Sequence, residues 1–245
     1  MRSKHWLLIA LAIVAFLVTL LLFLPASLIA NWLPANVTTG TLSGTLWNGS
    51  ADALSVDGRL LGAAQWRARP LQLLRGRLAA DAAVMRDGGE MRGRFALGTG
   101  GKIEITDLEA RWPLGDLPVR ALRKGLIGDL QINAPLLQLE NGAPTAAQAT
   151  IDLRNLRERG AGVGSYRVTF DDSSRQGAQL VGRMQDLGGP VQVTGTITLG
   201  PGRSYVIDGL VAARPDAPAQ MVENLRYLGD PDAQGRRPFS ESGTY

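Results

Sequence analysis

The segment LGTGGKI, Leu97 to Ile103, carries the glycines and lysine of a phosphate loop, but Ile103 stands where a hydroxyl should meet magnesium. No glycine lies at the required upstream spacing, so a glycine-rich β-hairpin is the expected structure. Two carboxylate clusters, Asp171-Asp172 and Asp230-Pro231-Asp232, have oxygen ligands for Ca²⁺ but neither the ligand count nor the loop length of a calcium motif. Turn formation is their expected role. The one histidine, His5, lies at the N-terminus and there is no cysteine, which excludes His-based triads, thiolate nucleophiles and Cys/His zinc sites from the rest of the chain. Without cysteine the chain also has no disulfide to form in an oxidising compartment. No carboxylate pair stands out for glycoside hydrolysis. The expectation is a protein without catalytic, cofactor-binding or metal-ligating residues, one that works by contact.

From Trp6 to Leu24 no residue is charged, and at about 1.5 Å per helical residue this run spans about 28 Å, close to the thickness of a bilayer core. It is longer than a cleavable signal core, and a cut after Ala30 would put Leu28 at −3, so a retained transmembrane anchor is expected (Trp6, Leu7, Phe16, Leu24). Arg2 and Lys4 precede the run, and the next basic residue is Arg59, which places the N-terminus in the cytoplasm and the body outside it. Pro25 ends the helix, and SLIANWLP is expected to lie along the outer interface.

Beyond the anchor the period is two. In VQVTGTITL, Val191, Val193, Ile197 and Leu199 point one way and Gln192, Thr194, Thr196 and Thr198 the other. The same alternation runs through Ile103 and Ile105 (with a slip before Leu108), Leu130 and Ile132, and Tyr166, Val168 and Phe170. Asp87-Gly88-Gly89, Asn141-Gly142, Gly188-Gly189-Pro190 and Gly200-Pro201-Gly202 supply turns. Two short helices are expected, DLPVRALRKG and DAPAQMVENLRYLG, each with proline in its first turn and glycine at its end.

An internal repeat relates GTLWNGSADALSVDGRLLGAAQWRARP to GDLQINAPLLQLENGAPTAAQATIDLR. The expected fold is therefore mainly β: one transmembrane helix, then a twisted antiparallel meander of two related β units. The divisions are a cytoplasmic tail 1–5, anchor 6–24, interfacial linker 25–38, β unit 39–117, connecting helix 118–125, second β unit 126–215, helix 216–229 and C-terminal tail 230–245.

The formal charge is +4, with arginines densest from Arg59 to Arg94. They are read as the solvated polar face of a sheet, with an anionic partner as the alternative. Trp47, Trp66 and Trp112 are read as core anchors, with a ligand platform as the alternative. Nucleic acid is not an expected partner.

A basic N-terminus with one anchor, the pattern Gly44, Leu46, Trp47 and Gly49 in GTLWNG, and Trp66, Pro70, Leu74 and Gly76 downstream together resemble the type II secretion system protein N family. The closing LGDPDAQGRRPFSESG, with Gly229, Gly235 and Arg236, adds to the resemblance. It implies an inner-membrane, single-pass accessory component of a Gram-negative export machine, with its β domain in the periplasm. The implied partners are other inner-membrane subunits and the outer-membrane secretin, and the implied mode is assembly rather than catalysis. A second reading is a periplasmic lipid- or hydrophobe-binding module similar to AsmA-type proteins.

Overall fold

Alternation with glycine-rich turns favours hairpins over helices, and the chain obeys it throughout. The computed structural model describes residues 11–13, 16, 19–20, 22–117, 125–158, 160–171, 174–177 and 179–244. Among the described residues fifteen strands form one antiparallel sheet. They are β1 (Val37–Thr39), β2 (Leu42–Gly44), β3 (Asn48–Val56), β4 (Arg59–Ala68), β5 (Leu78–Arg86), β6 (Gly89–Leu97), β7 (Lys102–Pro113), β8 (Leu126–Glu140), β9 (Ala143–Glu158), β10 (Ala161–Phe170), β11 (Arg175–Gln176), β12 (Gln179–Gly188), β13 (Val191–Gly200), β14 (Ser204–Ala213) and β15 (Arg237–Thr244). From β3 to β10 each strand pairs with its successor, and β10 then pairs β12 and continues through β13 and β14 to β15; β1 and β2 pair with β3, and β11 with β12. After the helical residues near the N-terminus, the helix α1 (Ala219–Leu225) and several short 3₁₀ turns complete the described chain.

The register aligns side chains into rows that cross the whole sheet. One row passes through Ser43, Ser50, Gln65, Ala83, Arg92, Glu109 and Asn133, then Thr150, Thr169, Arg183, Thr196, Asp208 and Ser240. The row beside it passes through Leu42, Ala51, Ala64, Val84, Met91, Ala110 and Ile132, then Ile151, Val168, Met184, Gly195, Gly209 and Phe239. Adjacent rows project to opposite faces, so one face is polar and the other apolar along the entire meander.

No second sheet covers the apolar face among the described residues, yet Leu180 and Ala134 are each only 2% exposed there. They cluster with Ile105, Leu108 and Phe170, against which Phe95, Leu137 and Ile197 pack. A flat layer cannot bury leucine so completely. The sheet must curl about its apolar face, helped by strand twist and by bulges such as the shift between Arg92 and Arg94, where Asp107 takes φ 53. At the C-terminal end α1 does part of this work, laying Met221 and Leu225 against Val191, Val193 and Val211. The accessible surface is 15671 Å², against about 10,600 Å² for a compact monomer of this mass. A single curled layer with two separate edges accounts for that excess, together with the exposed apolar residues at the N-terminus.

The slip expected before Leu108 is the Asp107 bulge. The expected helix 216–229 is shorter: Pro218 is its N-cap rather than part of its first turn, and a 3₁₀ turn Arg226–Leu228 carries it to Gly229 at φ 97. The tail expected at 230–245 contains β15, whose residues pair with Ser204–Val211 of β14. The sheet runs without interruption past the connection between the two expected β units, because β7 pairs with β8 from Lys102↔Glu140 to Pro113↔Asp129. The connecting helix lies, but for Gly125, outside the described residues, as do Trp6 and Leu7. Of the expected anchor, Leu11–Ile13, Phe16, Thr19–Leu20 and Leu22 are helical and exposed. Among the described residues no helix is long and apolar enough to cross a membrane.

Truncating Leu180 to alanine should cost about 3 kcal/mol, because the curled face cannot collapse around the void, whereas Leu60→Ala, at a site 55% exposed, should change stability by less than about 0.5 kcal/mol. Urea unfolding of the detergent-solubilised chain, followed by tryptophan emission, measures both.

Candidate interaction surface

The polar face is a lattice of cross-strand ion pairs. Asp81 on β5 is held from both sides, by Arg69 through Nε (2.8 Å) and Nη2 (3.1 Å) and by Arg94 on β6 (3.2 Å). Arg92 pairs with Glu109 one strand further on, with Nε at 3.0 Å. On β9, Asp152 accepts from Nε (2.6 Å) and Nη2 (2.7 Å) of Arg167 and from Arg154 (2.8 Å), while only 5% exposed. Beside this lattice a groove of about 540 Å³ is bounded by Asn48, Trp66, Arg67, Asp81, Arg92, Arg94 and Glu109. A second, of about 360 Å³, runs between Arg92, Arg111, Gln131, Asp152 and Arg167. Arg67 and Arg111 have no partner among the described residues and stand exposed at these grooves.

The electrostatics follow from the pairing. The hydrogen bonds from Arg167 hold the Asp152 carboxyl below the usual carboxylate range; burial opposes this and Arg154 adds to it. Asp81 is lowered chiefly by Arg69, with Arg94 helping. For Asp186, burial pushes upward but is outweighed by Arg214 and by the Val193 N–H at 3.0 Å, so its pKa also falls. Burial raises the Tyr166 hydroxyl to about 12, and that hydroxyl donates to the Val163 carbonyl at 2.8 Å. The Arg59–Arg94 run is thus largely committed: Arg59 donates to the carbonyls of Gly115 (3.1 Å) and Leu117 (2.7 Å), and Arg86 pairs with Asp116 at 3.0 Å.

The family-motif residues fall into two structural groups. In the first, Trp66 lies over Gly49, where a Cβ would come within 2.4 Å of the ring, and its Nε1 donates to the Leu46 carbonyl at 3.1 Å. Gly44 pairs with Gly49 across the β2–β3 ladder, and the Trp47 carbonyl accepts from the Ala68 N–H at 2.7 Å. Pro70 opens the 3₁₀ turn Pro70–Arg75 and Gly76 closes it in the left-handed conformation, φ 68. The second group shapes the approach to β15. The Asp232 carboxylate accepts from the backbone of Gln234 and Arg236 (both 2.9 Å) and from Arg236 Nε (2.8 Å), making the turn in which Gly235 sits, and Arg237 donates to the Gly229 carbonyl. The two groups lie at opposite edges of the sheet and do not form one site. Of the calcium candidates, Asp232 is used in this turn and Asp171 pairs with Arg183, while Asp172 lies outside the described residues. Leu97–Ile103 is the hairpin joining β6 to β7.

Sequence reasoning did not single out Asp152, Asp186 or Arg111, and it reached Arg67 only as one of the arginines of the Arg59–Arg94 run. A signal for Asp152 was present in TIDLR: a carboxylate flanked by Ile151 and Leu153 in a period-two strand must sit on the polar face, where a neighbouring arginine can reach it.

These features define a single-layer, amphipathic β meander whose polar face carries a lattice of ion pairs and two grooves. Residues 35–240 match the family described as type II secretion system (T2SS), protein N. The chain is 30% identical to the type II secretion system protein N of Aeromonas hydrophila over 254 aligned residues, covering 96% of each chain. It is also 26% identical to the protein of the same name from Vibrio cholerae serotype O1 over 220 aligned residues, covering 86% of each. No solved structure matches it. The chain therefore belongs to the type II secretion system protein N family and is a component of that secretion machinery.

Because the Asp152 and Asp81 pKa values are depressed on folding, their stabilisation is complete above the ordinary carboxylate pKa of about 4 and drains away as pH falls through the folded values. Asp152→Asn should cost about 2 kcal/mol at neutral pH by leaving Arg167 and Arg154 short of a charged acceptor. Its deficit relative to the parent should shrink as pH falls below the ordinary carboxylate pKa of about 4. Urea titrations across pH measure the difference. Gly49→Ala should shift the unfolding midpoint down independently of pH, because it displaces the Trp66 ring.

Proposed function

We propose that this protein is an inner-membrane accessory component that assembles with other type II secretion subunits through its periplasmic β domain. The observation that carries this reading is the family match over residues 35–240, which takes in nearly the whole sheet. The uncharged run Trp6–Leu24 supports a single-pass anchor with its N-terminus in the cytoplasm, and the exposed Leu11, Phe16 and Phe23 agree with a lipid surrounding. The polar grooves support the contact mode. Arg67 and Arg111 leave positive charge unspent among paired neighbours, which suits an acidic face on an inner-membrane platform subunit or on the secretin. The anchor confines the domain near the platform and so raises its effective concentration there.

A duplication of the β unit fits the paired turns at Gly100 (φ 73, ψ 22) and Gly202 (φ 74, ψ 21), each inside a glycine-bearing 3₁₀ turn that joins two strands. The surplus of accessible area favours a second reading, an AsmA-like module that lays a lipid or other hydrophobe on the apolar face. The self-packing of Phe170, Leu180 and Ile105 favours protein contact over it.

A photo-crosslinking residue at position 67 or 111, in intact cells, should capture other secretion subunits, and deletion should reduce export. Crosslinks to none of them together with normal export would reject the assembly role. Lipid consistently retained in native mass spectrometry of the full chain would establish the second reading instead.

A further inference from the structure

Every strand of the sheet ends at one of two rims, and the anchor leaves from only one of them. The Leu24 carbonyl accepts from the Leu46 N–H at 2.8 Å and Pro25 bridges to Thr45, fixing the start of the β domain beside the β2–β3 turn. At that same rim β4 ends: Ala68 N–H reaches the Trp47 carbonyl at 2.7 Å, and the chain enters the 3₁₀ turn Pro70–Arg75. This turn buries none of its residues. Leu71 is 78% exposed and Leu74 86%, with Leu73 and then Leu78 also exposed. Single exposed leucines are ordinary, but a hydrogen-bonded turn that presents three together has no folding reason to do so.

The charge of the rim points the same way. Arg75 and Arg77 flank the leucines, and the neighbouring turns add Lys102, Arg175 and Arg203, all exposed. Their acidic counterweights are Glu104, 3.6 Å from Arg77, and Glu140, 4.0 Å from Lys102, while Asp171, just before Arg175, is taken by Arg183. Arg75, Arg175 and Arg203 have no partner among the described residues. The opposite rim differs: among the described residues its exposed apolar side chains are spread over separate elements, Leu60 and Ile127 on two strands and Tyr227 with Leu228 beyond α1, and its hairpin turns carry Asp57 and Asp87.

We propose that the turn Pro70–Arg75 is a second membrane contact, in which Leu71 and Leu74 enter the outer interface of the bilayer that holds the anchor while the surrounding arginines meet lipid phosphates. Such a contact pairs a modest apolar insertion with cationic anchoring, the combination used by interfacial segments. It stands the strands upright on the membrane, with the polar face turned to the side. The inference builds on the anchored reading above, and the test separates the two.

The chain has no cysteine, so single-cysteine variants accept an environment-sensitive fluorophore at one site only. Phe16→Cys, Leu74→Cys and Asp87→Cys in the full chain, reconstituted in vesicles of phosphatidylethanolamine and phosphatidylglycerol, report on the anchor, the turn and the far rim. The probe at position 74 should shift to shorter wavelength and lose most of its emission to a lipid-borne quencher, as the probe at 16 does, while the probe at 87 stays water-like and unquenched. Quenching at 16 with a water-like probe at 74 would overturn this inference and leave the anchor standing. Quenching at 74 without quenching at 16 would uphold the contact and overturn the anchor. Water-like probes at both positions would overturn both.

Discussion

The structure depends on one constraint: side chains in a strand alternate strictly, so a long antiparallel meander with polar and apolar residues in alternation acquires two chemically opposite faces. Here the rows hold from β2 to β15, with Ser43 to Ser240 on one face and Leu42 to Phe239 on the other. The apolar face has no second sheet to meet among the described residues, so the drive to remove it from water becomes a drive to curl. Bulges at Asp107 and near Gly128 supply bends, and the Gly195–Gly209 pair leaves room for the ring of Phe239 over the backbone. The result is a core built from neighbouring strands, with few contacts between residues far apart in sequence order along the sheet.

A layer of this kind has two edges, and each is managed differently. On the first, β1 and β2 cover the outer side of β3 in two short pieces, and Pro25 bridges to Thr45 beyond them. A broken strand is a poor template for addition. On the last, β15 pairs only with β14 among the described residues, and Pro238 removes one N–H from its edge. Both edges are thus blunted against strand addition. On the polar face between them the individual exposed ion pairs contribute little to stability, typically below about 1 kcal/mol. Asp152 is the exception, because it is buried beneath two arginines and its loss would strand their charge.

The alternation in VQVTGTITL was readable because every residue of that stretch obeys it, and the slip at Leu108 was readable because Ile103 and Ile105 set a phase that the slip breaks. The strand pairing was legible for the same reason, since Asn141-Gly142 and Asp87-Gly88-Gly89 leave too few residues for anything but hairpins. The β15 strand was not legible: RPFSESGT has proline as its second residue and is rich in small polar residues, and its strand state comes from the ladder β14 presents rather than from its own propensity. The 3₁₀ turn Pro70–Arg75 was hidden in a different way. PLQLLR has the composition of a core helix, and only the placement of its ends, pinned to Trp47 and Ala79, reveals that its leucines face outward. The ion-pair lattice depends on register across strands distant in sequence, as in Arg69–Asp81–Arg94, and register is a tertiary property.

These features combine into a directional object. The two groups of family-motif residues sit at the two edges, and only Trp66 among them borders a polar groove: Trp66 and Gly49 lock the N-terminal edge, while Asp232, Gly235 and Arg236 form the turn that delivers β15. Gly49 is kept small by the Trp66 ring and Gly209 by the ring of Phe239, so both motif-bearing edges rest on the same device, an aromatic side chain seated on glycine backbone. Such pairs fix register without adding polar groups to the apolar face. A sheet whose edges are locked in register keeps its central rows aligned, and the alignment places Arg67 on β4, Arg92 on β6 and Arg111 on β7 as a fixed array of charge. The motif residues therefore hold the frame in which the unpaired Arg67 and Arg111 stand.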